Sequence, residues 1–117
     1  MGVQEFSENV LLITLPVEPQ QGDELEKVKT MLSEEANRDI IVDFSKVKIL
    51  TSESLSDLMI LDRILGESRH FMVLCNVPSK VQHIFVRTGL AAIFEFTKDE
   101  LAALQYIRSE SHSPVAD

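Results

Sequence analysis

DIIVDFSKVKILTSESLSDLMIL, residues 39–61, is the stretch on which the fold turns. DIIVDFS is a continuous apolar run bounded by acids, the pattern of a strand buried on both faces. KVKIL then leads into Thr51-Ser52-Glu53-Ser54, and behind it Leu55, Leu58, Met59, Asp62 and Leu65 share one helical face that Leu61 and Ile64 widen. Gly66 is placed to end this helix as its C-cap. The unit is a buried strand, a turn and an amphipathic helix, and the flanking sequence repeats it. Upstream, NVLLITLP reads as a buried strand stopped by Pro16 and Pro19, with Val3 to Phe6 a weaker hairpin partner. After the loop VEPQQG, Asp23 is placed to cap a helix carrying Leu25, Val28, Met31 and Leu32, with Asn37 as its stop. Downstream, HFMVLCNV is a further buried strand ended by Pro78. A helix follows on Val81, Ile84, Phe85 and Thr88, with Gly89 as its C-terminal signal. Ile93 to Phe96 reads as a short strand, and Thr97 or Asp99 opens a last helix carrying Leu101, Leu104 and Ile107.

Strands alternating with helices of this length imply parallel βαβ units joined by helical crossovers. The expected organisation is one domain over residues 1–108 and a frayed polar tail over 109–117. Eleven basic against nineteen acidic residues leave a formal charge of −8. That balance disfavours nucleic acid and anionic membrane surfaces, whose binding depends on clustered Lys and Arg. It leaves room for a protein partner with a basic face. The apolar runs are too short to span a bilayer, the N-terminus lacks a signal-peptide pattern, and Phe6 breaks the myristoylation pattern. A cytoplasmic protein is expected.

The chemistry inventory is sparse. Neither phosphate-cradling glycine motif is present. His70, His83 and His112 lie far apart, and each reads as a surface residue rather than a metal ligand. The single cysteine, Cys75, reads as a small buried hydrophobe. Glu34-Glu35 and Asp99-Glu100 read as solvated helix ends. With no nucleophile, base and orienting group in evidence, the expectation is a protein that is not an enzyme and uses no cofactor or metal.

Thr51 to Ser56 is the informative segment, with hydroxyls at four of six positions at a helix start. Capping explains it simply, because a Ser or Thr oxygen accepts from the unpaired first-turn N–H groups and Glu53 complements the helix dipole. The same physics supports a switch. A phosphoryl group on a first-turn serine is tolerated by the fold yet adds about −1.5 to −2 charge to the surface.

The chain resembles the STAS domain family of anti-sigma-factor antagonists over about residues 4 to 108. IIVDFSKVKIL resembles the family's apolar strand, and TSESLSDLMIL stands where that family has an Asp-Ser-Ser/Thr-Gly-Leu-Gly motif. HFMVLCNVPSKVQHIF resembles the next strand and helix, and RTGLAAIFEF the Thr-Gly-Leu and terminal strand. The resemblance implies a mixed, mostly parallel sheet with helices packed mainly on one side. It aligns Leu55 with the family leucine, Ser52 with the serine phosphorylated by a partner kinase, and Asp43 with the strand-end aspartate. Thr88, Gly89 and Leu90 align with the later segment. Thr51 stands for the family aspartate, and Ser54 and Ser56 for its glycines. The implied role is a module that binds an anti-sigma factor or serine kinase through Thr51, Ser52, Glu53, Ser54, Ser56 and Asp43, with Ser52 as phosphoacceptor. Three alternatives stay open: a constitutive scaffold in which Ser52 is only a cap, an anion or small-ligand site at the helix start or even an enzyme, and weak self-association through an exposed first strand.

Overall fold

A computed structural model describes residues 3–7, 9–17, 20–34 and 38–111. In chain order these form β1 (Val3–Ser7), β2 (Val10–Thr14), α1 (Gln20–Glu34), β3 (Asp39–Asp43), α2 (Ser52–Glu67), β4 (Met72–Cys75) and α3 (Ser79–Arg87). A 3₁₀ turn (Leu90–Ala92), β5 (Glu95–Thr97) and α4 (Glu100–Ser111) complete the order. The strands make one five-stranded sheet in the order β1-β2-β3-β4-β5. β1 is antiparallel to β2, and every later pair is parallel.

This sequential order decides where the helices go. Each parallel crossover moves one strand across in the same direction, and right-handed crossovers then place their helices on one face. Accordingly Leu25, Val28 and Leu32 of α1, Leu58, Leu61 and Leu65 of α2, and Val81 and Phe85 of α3 pack with Leu11, Ile13, Ile40, Val42 and Leu74 of the sheet. α4 follows the last strand and is free of that constraint. Its Ala103 and Ile107 cover Val10, Leu12, Ile41, Val73 and Cys75 on the opposite face. Coverage of both faces is why β3 reads as an unbroken apolar run. The expected mixed sheet with helices mainly on one side is the architecture observed.

β1 is an edge, but its pairing shifts between Glu5 and Ser7, and Arg38 Nη1 pairs with Glu5 Oε2 at 2.8 Å. A bulge and a charged pair both blunt an edge against pairing with another strand.

Several boundaries differ from the sequence reading. α1 begins at Gln20, so Asp23 is a first-turn acid rather than the cap. Its buried face is Leu25, Val28 and Leu32, while Met31 is exposed. The expected stops at Pro19 and Asn37 lie outside the described residues. α2 runs past Gly66, and Arg69, with φ 64°, takes the left-handed position. Arg69 N–H donates to Gly66 O at 3.1 Å and His70 N–H to Leu65 O at 2.8 Å, the paired bonds of a Schellman ending. At the end of α3, by contrast, the expected glycine does the work. Gly89 has φ 80°, where an L side chain is strained.

The last strand sits at Glu95–Thr97 rather than Ile93 to Phe96, because Leu90–Ala92 coil into the 3₁₀ turn and Phe94 drops into the core ahead of the strand. Asp99, not Thr97, caps α4, its Oδ1 accepting from Ala102 N–H at 2.9 Å. Ile107 is buried and Leu104 packs beside it as expected, but Leu101 is exposed and Ala103 takes its place on the packing face. α4 continues through Ser111, beyond the expected tail boundary, and residues 112–117 with His112 lie outside the described residues. Cys75 is buried as expected, and burial, with the Asp43, Glu100 and Asp99 carboxylates adding to it, pushes its thiol pKa up to about 12. His83 is exposed, but His70 is half-buried, with Nδ1 3.1 Å from Asp39 Oδ1.

Candidate functional site

The connection from β3 to α2 is held from both ends. Asp43 closes the strand, and its Oδ1 accepts from Ser45 N–H at 2.9 Å and from Asn76 Nδ2 at 3.1 Å. Asn76 follows β4 in the left-handed region, φ 54°, so one carboxylate ties the ends of two parallel strands together. Phe44, Val47 and Leu50 are buried and pull the connection onto the core, leaving Lys46, Lys48 and Ile49 exposed. Thr51 is extended, φ −87° and ψ 162°, and is the N-cap of α2. Its Oγ1 accepts from Ser54 N–H at 3.1 Å and its carbonyl from Leu55 N–H at 3.0 Å.

Thr51 therefore performs the capping that the scaffold alternative assigned to Ser52. Ser52 is the first helical residue, and it is exposed. Threonine is a good N-cap residue, and Thr51 fills that role here with a neutral oxygen. Thr51→Ala is expected to cost about 1 kcal/mol of stability. Ser52→Ala should stay within about 0.5 kcal/mol, as for other exposed positions. Urea unfolding of the two variants checks both values.

The remaining candidates divide by burial. Glu53 and Ser56 are exposed beside Ser52. Ser54 is buried at 1% exposure and Asp43 at 6%, so both side chains point into the protein. Glu53 lies in the first turn, where its charge complements the helix dipole. Further along α2, Asp57 is buried and receives Lys29 Nζ from α1 at 2.9 Å, with Glu26 Oε1 3.3 Å from the same nitrogen. Hydrogen bonds from Lys29 to Asp57 first and Glu26 second hold its ammonium pKa above the ordinary value. This pair locks the two helices in register.

The helix also exposes residues that spacing alone placed elsewhere. Ser52, Ser56, Met59 and Arg63 recur every three or four residues and form one solvent-facing stripe, flanked by Ile60. Met59 is 41% exposed and Ile60 36%, although Met59 falls on the leucine face by sequence spacing. The displacement follows from Asp57 and Ser54 being buried, which rotates the packing face away from Met59. The only sequence signal for this was the polar pair itself.

Among the described residues no group of three or more His, Cys, Asp or Glu side chains could hold a metal ion, and no helix is long and apolar enough to cross a membrane. The site offers an exposed hydroxyl, a helix N-terminus and adjacent apolar side chains. That set suits contact with a macromolecule and lacks an acid–base pair.

No family model and no curated protein sequence matches the chain. Solved structures do. A serine-to-glutamate variant of RsbS from Moorella thermoacetica superposes with a TM-score of 0.78 at 12% identity, over 94% of this chain and 96% of that one. A STAS domain protein from Planctomyces limnophilus gives 0.72 at 16%, over 92% and 98%. The anti-sigma factor antagonist SpoIIAA in its unphosphorylated form gives 0.70 at 16%, over 91% and 96%. The phosphorylated form, described as a Bacillus cell fate determinant, gives 0.66 at 15%, over 89% and 96%.

Proposed function

Starting from its STAS fold, we propose that this chain is a regulatory binding module of the anti-sigma-factor-antagonist type, with Ser52 as its switch. The observation that carries the reading is the division of labour at the start of α2. Thr51 Oγ1 holds the cap, so the Ser52 hydroxyl is exposed and structurally unused, on the same face as Ser56, Met59 and Ile60. Solved neighbours of the same fold include SpoIIAA in unphosphorylated and phosphorylated forms and an RsbS variant with glutamate at a serine. The partner is an anti-sigma factor or a related serine kinase, and the setting is the cytoplasm.

In this reading the unmodified face docks through Met59, Ile60 and the first turn of α2, and the net charge of −8 favours a partner with a basic rim. A kinase partner supplies ATP: the γ-phosphoryl group passes to the Ser52 oxygen as the bond to the β-phosphate breaks, ADP leaves, and the hydroxyl proton goes to a base of the kinase. The product phosphate sits near the first-turn N–H groups, where the helix dipole favours negative charge, so the fold tolerates it. The interface does not. About two negative charges would have to be desolvated or paired, and Glu53 beside them adds like charge. This chain contributes the acceptor and the surface; the partner contributes the chemistry.

The test combines mass spectrometry with binding. Peptide mapping across Ile49 to Asp62, on protein purified from its native host, should find a phosphate on Ser52 whose occupancy changes with growth conditions. Ser52→Ala should retain partner binding, and Ser52→Asp should weaken it at least tenfold in a pull-down or titration. If Ser52→Asp binds as tightly as the wild type and Ser52 is never modified, the module is constitutive and the switch is rejected.

A further inference from the structure

At the opposite end of the sheet from Ser52 lies a cleft of about 240 Å³, walled by the C-terminal half of α2, the start of β4, the segment before and into β5, and α4. Its polar lining is unusual in kind. Asp62, His70, Glu95 and Tyr106 face it, and no Lys or Arg is among its described lining residues. The Asp62 carboxylate is half-buried and has no hydrogen-bond or ion-pair partner among the described residues. Burial alone raises the pKa of its carboxyl, with no cation contributing. His70 has its Nδ1 committed to Asp39 Oδ1 at 3.1 Å.

The described lining thus carries two carboxylates, Asp62 and Glu95, with no Lys or Arg to balance them, and burial first and the nearby Glu95 carboxylate next raise the pKa of the Tyr106 hydroxyl. The apolar surface of the cleft is the smaller part and includes Phe71, Tyr106 and Ile93. Phe71 and Tyr106 meet edge to face, with centroids 6.1 Å apart, and Ile93 beside them is 48% exposed. No three metal-ligating side chains converge among the described residues, so the polar groups are spread along the walls rather than gathered on a point. Separated carboxylates beside two aromatic rings match an organic cation better than a metal ion.

We infer that this cleft binds a small organic cation, a primary ammonium carried on an apolar or aromatic body, with Asp62 as its principal counter-ion. The ammonium donates to the carboxylate of Asp62, and the body of the ligand lies against Phe71, Tyr106 and Ile93. The site is independent of Ser52, so it stands whether or not the switch does.

The test uses the full chain, ¹⁵N-labelled, titrated with benzylamine and separately with its neutral counterpart benzyl alcohol. Benzylamine should shift the amide resonances of Asp62, His70, Ile93 and Tyr106 and saturate with a Kd on the order of 1 mM, as expected for so small a ligand. Benzyl alcohol should bind at least about tenfold more weakly, because a charge-assisted bond is lost. Asp62→Asn should weaken benzylamine about tenfold while its melting temperature stays near wild type, and Glu95→Gln should weaken it less. If Asp62→Asn shifts the melting temperature, Glu95→Gln and the benzyl alcohol comparison still decide the matter. Equal binding of the alcohol and the amine overturns the proposal. So does an absence of saturable shifts at these residues, or an Asp62→Asn variant that is folded and binds unchanged.

Discussion

Phe85→Ala is expected to lower unfolding stability by about 3–5 kcal/mol, the range for removing a buried phenylalanine. Phe85 is fully buried on α3 and stands at the meeting point of three other rings. It lies edge-to-face on Phe44 at 6.0 Å, Phe94 at 5.6 Å and Phe96 at 5.2 Å. These partners come from the end of β3, the turn before β5, and β5 itself. One side chain thus anchors α3, the short last strand and the start of the connection that leads to α2. Truncation leaves a cavity bounded by rings on several elements, and rigid elements collapse onto such a space only in part. Against a total of about 5–15 kcal/mol for a domain, the loss is large without being necessarily complete. Urea unfolding should show a lower midpoint with an unchanged slope, the mark of a stability change within a two-state transition. A loss below about 1 kcal/mol would show that the ring cluster is not the keystone of this end of the core.

Asp43→Ala is expected to cost about 2–3 kcal/mol, and Asp43→Asn about half as much. The carboxylate accepts from Ser45 N–H and Asn76 Nδ2 and is 6% exposed. Hydrogen bonds to a charged acceptor contribute about 1.5–3 kcal/mol each, but Ser45 is exposed and its amide can turn to water, which limits the sum. Asparagine keeps one acceptor oxygen and so restores part of the turn. The comparison also separates the two roles open to Asp43. If it acts by shaping the turn that delivers Thr51 and Ser52, partner affinity should follow stability and recover with asparagine. If it touches the partner through its charge, affinity should fall with asparagine by much more than stability does. Its burial supports the first.

The strands, the helices and their order were legible because their signals are local. Ile40, Ile41 and Val42 are apolar in succession because both sheet faces are covered, and a strand with no solvent face leaves no alternation to misread. The hydroxyl-rich start of α2 was also plain, because unpaired N–H groups at a helix start call for such side chains wherever they occur. Details that depend on a neighbour were not legible. Arg69 took the left-handed position two residues after α2 ends, although Gly66 was the better conformational candidate, because Leu65 had to reach the core before the chain could turn. Met59 lost its expected place in the core to Asp57 and Ser54, whose burial depends on Lys29 arriving from α1 and on the cap at Thr51.

By itself the sequence determined an acidic α/β chain, the alternation of its elements, and a serine-rich helix start as its most informative surface. Periodicity, helix caps and net charge act over a few residues or over the whole composition, so they survive without a fold. The tertiary structure alone decided which hydroxyl is bound and which is free, that the strands stand in sequential order with three helices on one face, and that Asp62, His70, Glu95 and Tyr106 share a cleft. Each of those depends on segments far apart in the chain meeting at hydrogen-bond or van der Waals distance, which packing settles and no local pattern encodes.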